Sequence, residues 1–218
     1  MSDPAAPVRH KAFPIGIVTS CRTLLIIGCG PETLQRVKDA RRFDWHRIYL
    51  LSPDITPDVA EQLALDERAT YLPRQATEED IARSHVVVED TEDETQAAQI
   101  AAWCRTHHVP LNAVDKIDYC DLYYMSLIFR GPLILGISSG GDAPAVASTL
   151  RKRLEATLTE GWTIAAEEMA SLRKRLPGGQ ARKELLKSLV RDERFLAYID
   201  AGNLDALRDY IRNAVDRI

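Results

Sequence analysis

One acid closes the apolar stretch Leu111-Asn112-Ala113-Val114-Asp115. Open parallel α/β sheets bind ligands just outside the carboxyl ends of their strands. Asp115 is therefore the candidate proton acceptor of this chain, with a plain strand-end cap as the other use of an acid there. Well upstream, the apolar run at 24–27 leads into Gly28-Cys29-Gly30-Pro31-Glu32-Thr33. Two glycines let the backbone turn tightly beside a pyrophosphate, and the helix that follows offers free N–H groups to it. Downstream, the short loop Ser138-Ser139-Gly140-Gly141 could cradle a carboxylate through backbone N–H groups. Lys116, Arg130, Arg151 and Arg153 are the candidate cations for an anionic ligand. Arg151 and Arg153 fall on different helix faces, so both cannot serve one ligand.

Other residues sharpen or weaken this picture. Asp54 follows the second apolar run in Ser52-Pro53-Asp54. An acid there can take ribose hydroxyls and favour NAD over NADP, or cap the turn. The third small position of the glycine fingerprint is Thr33. Glu89 and Asp90 end the run at 86–88 and would bring negative charge near a phosphate-bearing ligand, unless they turn to solvent or pair with Arg83 or Arg105. His107-His108 is too local for a metal site, Trp103 reads as core, and Tyr119, Tyr123 and Tyr124 fit either stacking on a ligand or packing. The chain has no GxSxG elbow for hydrolase chemistry.

These residues need elements to hold them. Strands are expected at 23–27, 47–51, 71–72, 86–88 and 111–114, with helices at 31–41, 57–65, 78–82 and 95–107. Strand and helix alternating at this spacing predict a parallel sheet with crossover helices. From about Tyr123 the character changes: an apolar run at 125–129, a turn at Arg130-Gly131-Pro132, and a strand at 133–137. Asp142 is a candidate N-cap for a helix at 143–158, where Val146, Leu150, Leu154 and Leu158 form one apolar stripe. Helices at 162–176, 182–190, 192–200 and 204–218 follow.

The 218 residues carry a net charge of −4, which speaks against a nucleic-acid binder. Four cysteines without CxxC spacing give neither a zinc knuckle nor a disulfide framework, as expected in a reducing cytoplasm. No apolar run reaches the roughly 18 residues of a membrane span. Residues 1–8 show no signal-peptide pattern and read as a loose tail.

The order Asn112, Val114, Asp115, then Ser138, Ser139, Gly141, Pro144, Leu150, Arg151, Leu154 and Glu155 resembles the precorrin-2 dehydrogenase / sirohydrochlorin ferrochelatase family, the front module of siroheme synthase. The likeness runs nearly end to end and is strongest at 112–158. It implies a Rossmann-like NAD-binding domain (1–123), a dimerisation segment (124–158) and a helical C-terminal domain (159–218), in a cytoplasmic homodimer that binds neither nucleic acid nor membrane. It implies NAD-dependent oxidation of precorrin-2 to sirohydrochlorin, with ferrous iron as a further substrate if the chain also chelates. Asp115 is then catalytic. Gly28, Gly30, Pro31, Glu32, Pro53 and Asp54 hold the dinucleotide. Asn112, Lys116, Arg130, Ser138, Ser139, Gly140 and Gly141 face the tetrapyrrole, whose eight carboxylates call for a cationic pocket. The family's usual Ala-Ala-Thr-Asp is replaced here by Glu89-Asp90-Thr91-Glu92. Two alternatives stay open: a chelatase or tetrapyrrole carrier with a degraded NAD site, and a nucleotide-sensing module without chemistry. No methyltransferase module fits in this length, so that step is expected on another chain.

Overall fold

The apolar runs of the first half pair as a parallel sheet in the computed structural model, which describes residues 12–215. Its strands are β1 (Thr23–Ile27), β2 (Arg47–Leu51), β3 (Ala69–Leu72), β4 (Val86–Glu89) and β5 (Leu111–Ala113), in the order β3-β2-β1-β4-β5. Alternate residues of each strand face opposite sides, so the sheet carries two cores. Leu24 and Ile26 join Ile48, Leu50 and Val88 on one side. There Val37 and Ala40 of α1 (Thr33–Ala40) and Val59 and Leu63 of α2 (Pro57–Ala64) cover them. Leu25, Ile27 and Val87 face the other side, beneath Ile81 of α3 (Glu78–Ala82) and Ile100, Ala101 and Cys104 of α4 (Glu94–His107). Trp103 packs against this second core while only partly buried.

Hydrogen bonding moves several expected boundaries. Helix α1 starts at Thr33 rather than 31, because the Thr33 N–H closes a tight turn onto Gly30 O (3.2 Å) before the helix begins. Strand β4 runs one residue further, through Glu89, since Ile27 pairs with it. Strand β5 ends at Ala113, and Asp115 then takes a left-handed backbone (φ 57°) that no strand can continue through.

The chain divides into two compact units between Tyr124 and Met125. In the second, β6 (Ser126–Arg130) and β7 (Leu133–Ile137) form an antiparallel hairpin, followed by α5 (Pro144–Thr157). The N-cap of α5 is Ala143, not Asp142 as the sequence suggested, and the Ala143 N–H donates instead to Ser139 Oγ (2.9 Å). The expected stripe of α5 is at the surface: Val146, Leu150 and Leu154 are exposed, and Ala147 is the residue that buries. Helices α6 (Gly161–Arg175), α7 (Gln180–Arg191), α8 (Glu193–Asp200) and α9 (Leu204–Val215) gather around Phe195, Ile199, Leu207 and Ile211. The expected loose tail at 1–8 and the last residues of the expected helix at 204–218 lie outside the described residues.

Candidate functional site

The carboxyl ends of β1, β2 and β4 open onto a cleft of about 380 Å³. Gly28, Gly30 and Pro53 line it, as do Asp90, Glu92 and Asp93. The glycine turn has the shape a phosphate loop needs. Gly28 sits at φ 96°, and a Cβ on Gly28 or Gly30 would fall 2.4 or 2.5 Å from Asp90 O or Asp90 Oδ1. The close approach these glycines allow is therefore to the chain's own Asp90.

Asp90 is 3% exposed and turns inward rather than to solvent. Its Oδ2 accepts from the Glu32 N–H (3.0 Å) and from Thr33 Oγ1 (2.7 Å), and its backbone O accepts from the Gly30 N–H (2.9 Å). The Glu32 N–H and the Thr33 hydroxyl stand at the start of α1, where a helix offers donors to an anion. With the Asp90 carboxylate in place the Glu32 N–H and the Thr33 hydroxyl are engaged, and among the described residues no basic side chain lines the cleft. A pyrophosphate would have to displace that carboxylate to reach them.

Glu89 is fully buried. Its ion-pair partner is Lys116 rather than Arg83 or Arg105; the Lys116 Nζ lies 3.2 Å from Oε2 and also donates to Thr91 O (2.8 Å). Thr91 Oγ1 donates to the same carboxylate. The buried charge is thereby compensated, and the Lys116 ammonium is held inside the first unit.

Asp115 stands two strands over from the glycine turn, at the open end of β5. It is exposed, and its carboxylate has no hydrogen-bond or ion-pair partner among the described residues. Aspartate is among the few residues that tolerate its left-handed backbone; outliers of this kind cluster at active sites. The loop behind it is pinned by Asn112, buried, whose Nδ2 donates to Leu122 O (3.1 Å). The Leu111 N–H donates to Asp121 Oδ2 (3.1 Å), and Cys120 Sγ to Ala113 O (3.1 Å). Burial pushes the Cys120 thiol up, so it acts as a neutral donor. Burial likewise takes the Tyr124 phenol up to about 12, against the opposing pull of Arg36, whose guanidinium lies 4.2 Å from the ring. Tyr119 donates to Glu94 Oε1 (2.8 Å), and His107 Nε2 lies 2.9 Å from Glu78 Oε1.

The remaining candidates divide between the units. Pro31, Glu32 and Asp54 do not line the cleft; Glu32 pairs with Arg36 (3.2 Å), and Asp54 is exposed. In the second unit, the Ser138 and Ser139 hydroxyls accept from the Gly140 N–H (3.0 Å) and the Ala143 N–H (2.9 Å). Gly140 and Gly141 adopt φ of 65° and 88°. The Arg130 guanidinium donates to Glu155 O (2.7 Å), Leu158 O (2.8 Å) and Phe129 O (2.8 Å), which clasps the hairpin to the end of α5. Arg151 pairs with Glu155. What the sequence missed is the Asp90–Thr33 bond; its signal was that both positions depart from the expected small residues together.

A doubly wound parallel sheet with a glycine turn at its central strand defines a Rossmann-like nucleotide-fold protein. More narrowly, residues 17–126 match the model of the putative NAD(P)-binding family, and the chain belongs to that family. A siroheme synthase from Psychrobacter sp. (strain PRwf-1) is 31% identical over 163 residues, which cover 75% of this chain and 33% of the relative. The siroheme synthase of Thioalkalivibrio sulfidiphilus (strain HL-EbGR7) is 27% identical over 217 residues, covering 94% of this chain and 42% of the relative. The chain thus spans between a third and just over two fifths of these relatives. The solved structure of SirC, a precorrin-2 dehydrogenase, superposes with a TM-score of 0.72 at 19% identity, covering 94% of this chain and all of that one. The fold class and the family read from the sequence are borne out by these matches.

Proposed function

We propose that this chain oxidises precorrin-2 to sirohydrochlorin, with NAD⁺ as the two-electron acceptor. The observation that carries the reading is Asp115: an exposed carboxylate without a partner among the described residues, at the open end of a strand in this sheet. The siroheme synthase relatives align along nearly the whole chain, which supports the substrate class. The oxidation removes two electrons and two protons from the macrocycle. One proton leaves with the electron pair, and Asp115 accepts the other. Its exposure lets the acid pass that proton on to water.

Ferrous iron is a second proposed substrate, with the Asp115 carboxylate taking pyrrole protons as the metal enters. A homodimer is proposed as well, with 124–158 as its joining segment. It is supported by the exposed apolar side chains of Leu133, Ile134, Val146 and Leu150. A second reading is favoured by Asp90. If its carboxylate holds the phosphate position permanently, the chain is a chelatase or tetrapyrrole carrier with no use for NAD⁺. Anaerobic incubation of precorrin-2 with NAD⁺, followed at the sirohydrochlorin absorbance band, tests the first reading. Formation of sirohydrochlorin and NADH in equal amounts supports it. Bound but unchanged tetrapyrrole, converted only when Fe²⁺ and ready-made sirohydrochlorin are supplied, favours the second.

A further inference from the structure

We infer that Asp90 is a built-in anion that sets dinucleotide affinity: its carboxylate occupies the phosphate position at the start of α1, and a dinucleotide binds only by displacing it. This rests on the reading that the cleft takes NAD⁺. Three donors converge on one residue, the Glu32 N–H, Thr33 Oγ1 and the Gly30 N–H. Two of them meet the carboxylate itself, as they would meet a phosphate oxygen. Asp90 is 3% exposed and Thr33 fully buried, so the contact is packed in place. The glycine turn is shaped around it, since a Cβ on Gly30 would sit 2.5 Å from Asp90 Oδ1. Glu92 and Asp93 add acid to the cleft lining, and the Lys116 ammonium is already paired with Glu89. A pyrophosphate arriving here meets like charge and occupied donors at once. Removal of the Asp90 carboxylate frees the Glu32 N–H and the Thr33 hydroxyl and lifts the repulsion. Phosphate-bearing ligands then gain, while a ligand that reaches the cleft without a phosphate does not.

The test is calorimetric titration of the full chain with NAD⁺, ADP-ribose and adenosine, for wild type, Asp90→Ala and Asp90→Asn, with circular dichroism as the check on folding. Asp90→Ala is expected to bind NAD⁺ and ADP-ribose about tenfold or more tightly than wild type, with adenosine unchanged. Asp90→Asn removes the charge, keeps the side-chain shape and leaves both donors in the chain. It is expected to shift affinity the same way by a smaller factor, and it decides the matter if Asp90→Ala does not fold. Equal or weaker NAD⁺ binding by folded variants, with wild type binding well, overturns the inference and leaves the dehydrogenase reading standing. A gain for adenosine equal to that for NAD⁺ also overturns it, because the effect is then not on phosphate. No NAD⁺ binding by any variant overturns both.

Discussion

Asp115 combines an exposed carboxylate with a backbone (φ 57°) that most side chains resist. These two properties separate under mutation. Asp115→Gly removes the acid and relaxes the backbone, so its melting temperature should hold or rise while turnover falls. Asp115→Ala also removes the acid but keeps a Cβ in the left-handed region, which costs about 1 kcal/mol of stability relative to the glycine variant. Thermal unfolding beside turnover checks this pair; a glycine variant that unfolds early would mean the acid is structural. Glu89 and Lys116 give a second residue-scale prediction. Lys116→Met leaves a fully buried carboxylate unpaired and should cost about 3 kcal/mol, most of it recovered in the Lys116→Met/Glu89→Gln double variant. Denaturant titration of wild type, Lys116→Met, Glu89→Gln and the double variant measures that coupling. The sequence could flag Asp115, because a strand end is a local property. It could not reveal Asp90 against Thr33, or Glu89 against Lys116. Those partners lie 57 and 27 residues apart and meet only once β1, β4 and β5 lie side by side.

Helix α3 has five residues and is held by its cap. Asp80 Oδ2 accepts from the Thr77 N–H (2.8 Å) and from Arg74 Nη1 (2.7 Å). The Arg74 guanidinium, with the Thr77 donors, lowers the Asp80 carboxyl to about 2. A depressed carboxyl stabilises fully above its unfolded value of 3.8, and the contribution is lost as pH falls through about 2. Arg74 is half exposed, so the effect is discounted to about 1 kcal/mol. Asp80→Asn should be less stable than wild type at neutral pH and lose less stability between these two pH values, as read from denaturant midpoints. In the second unit, the Arg130 clasp on Glu155 O, Leu158 O and Phe129 O ties the hairpin to α5. Arg130→Met should cost about 2 kcal/mol or more, and early amide exchange in β6 and β7 would locate the loss. Alternation of strand and helix was legible because each element carries its own period. The α5 stripe was legible as a pattern and not as a destination: four-residue spacing gives a face, and only packing tells whether that face is inside.

At the scale of the molecule, a helical unit follows a parallel α/β unit, and among the described residues no helix is long and apolar enough to cross a membrane. Exposed apolar side chains on β7 and α5 predict self-association. Light scattering should give the mass of two chains, and Leu150→Glu should shift it toward one. A monomeric wild type at working concentration would remove 124–158 from any joining role. In the sequence, the change in pattern near 123 marks the end of the strand–helix alternation, whereas the pairing of copies has no signature in one chain beyond that apolar surplus. A proton-accepting acid at the open edge of a sheet is what the proposed oxidation requires. The most direct measurement is anaerobic turnover of precorrin-2 with NAD⁺ by wild type and Asp115→Asn, with tetrapyrrole affinity measured on the same samples. Wild type is expected to form sirohydrochlorin in an NAD⁺-dependent reaction, and the variant to do so at a rate lower by about 10²-fold or more at little-changed affinity. Equal rates in the two proteins would contradict it.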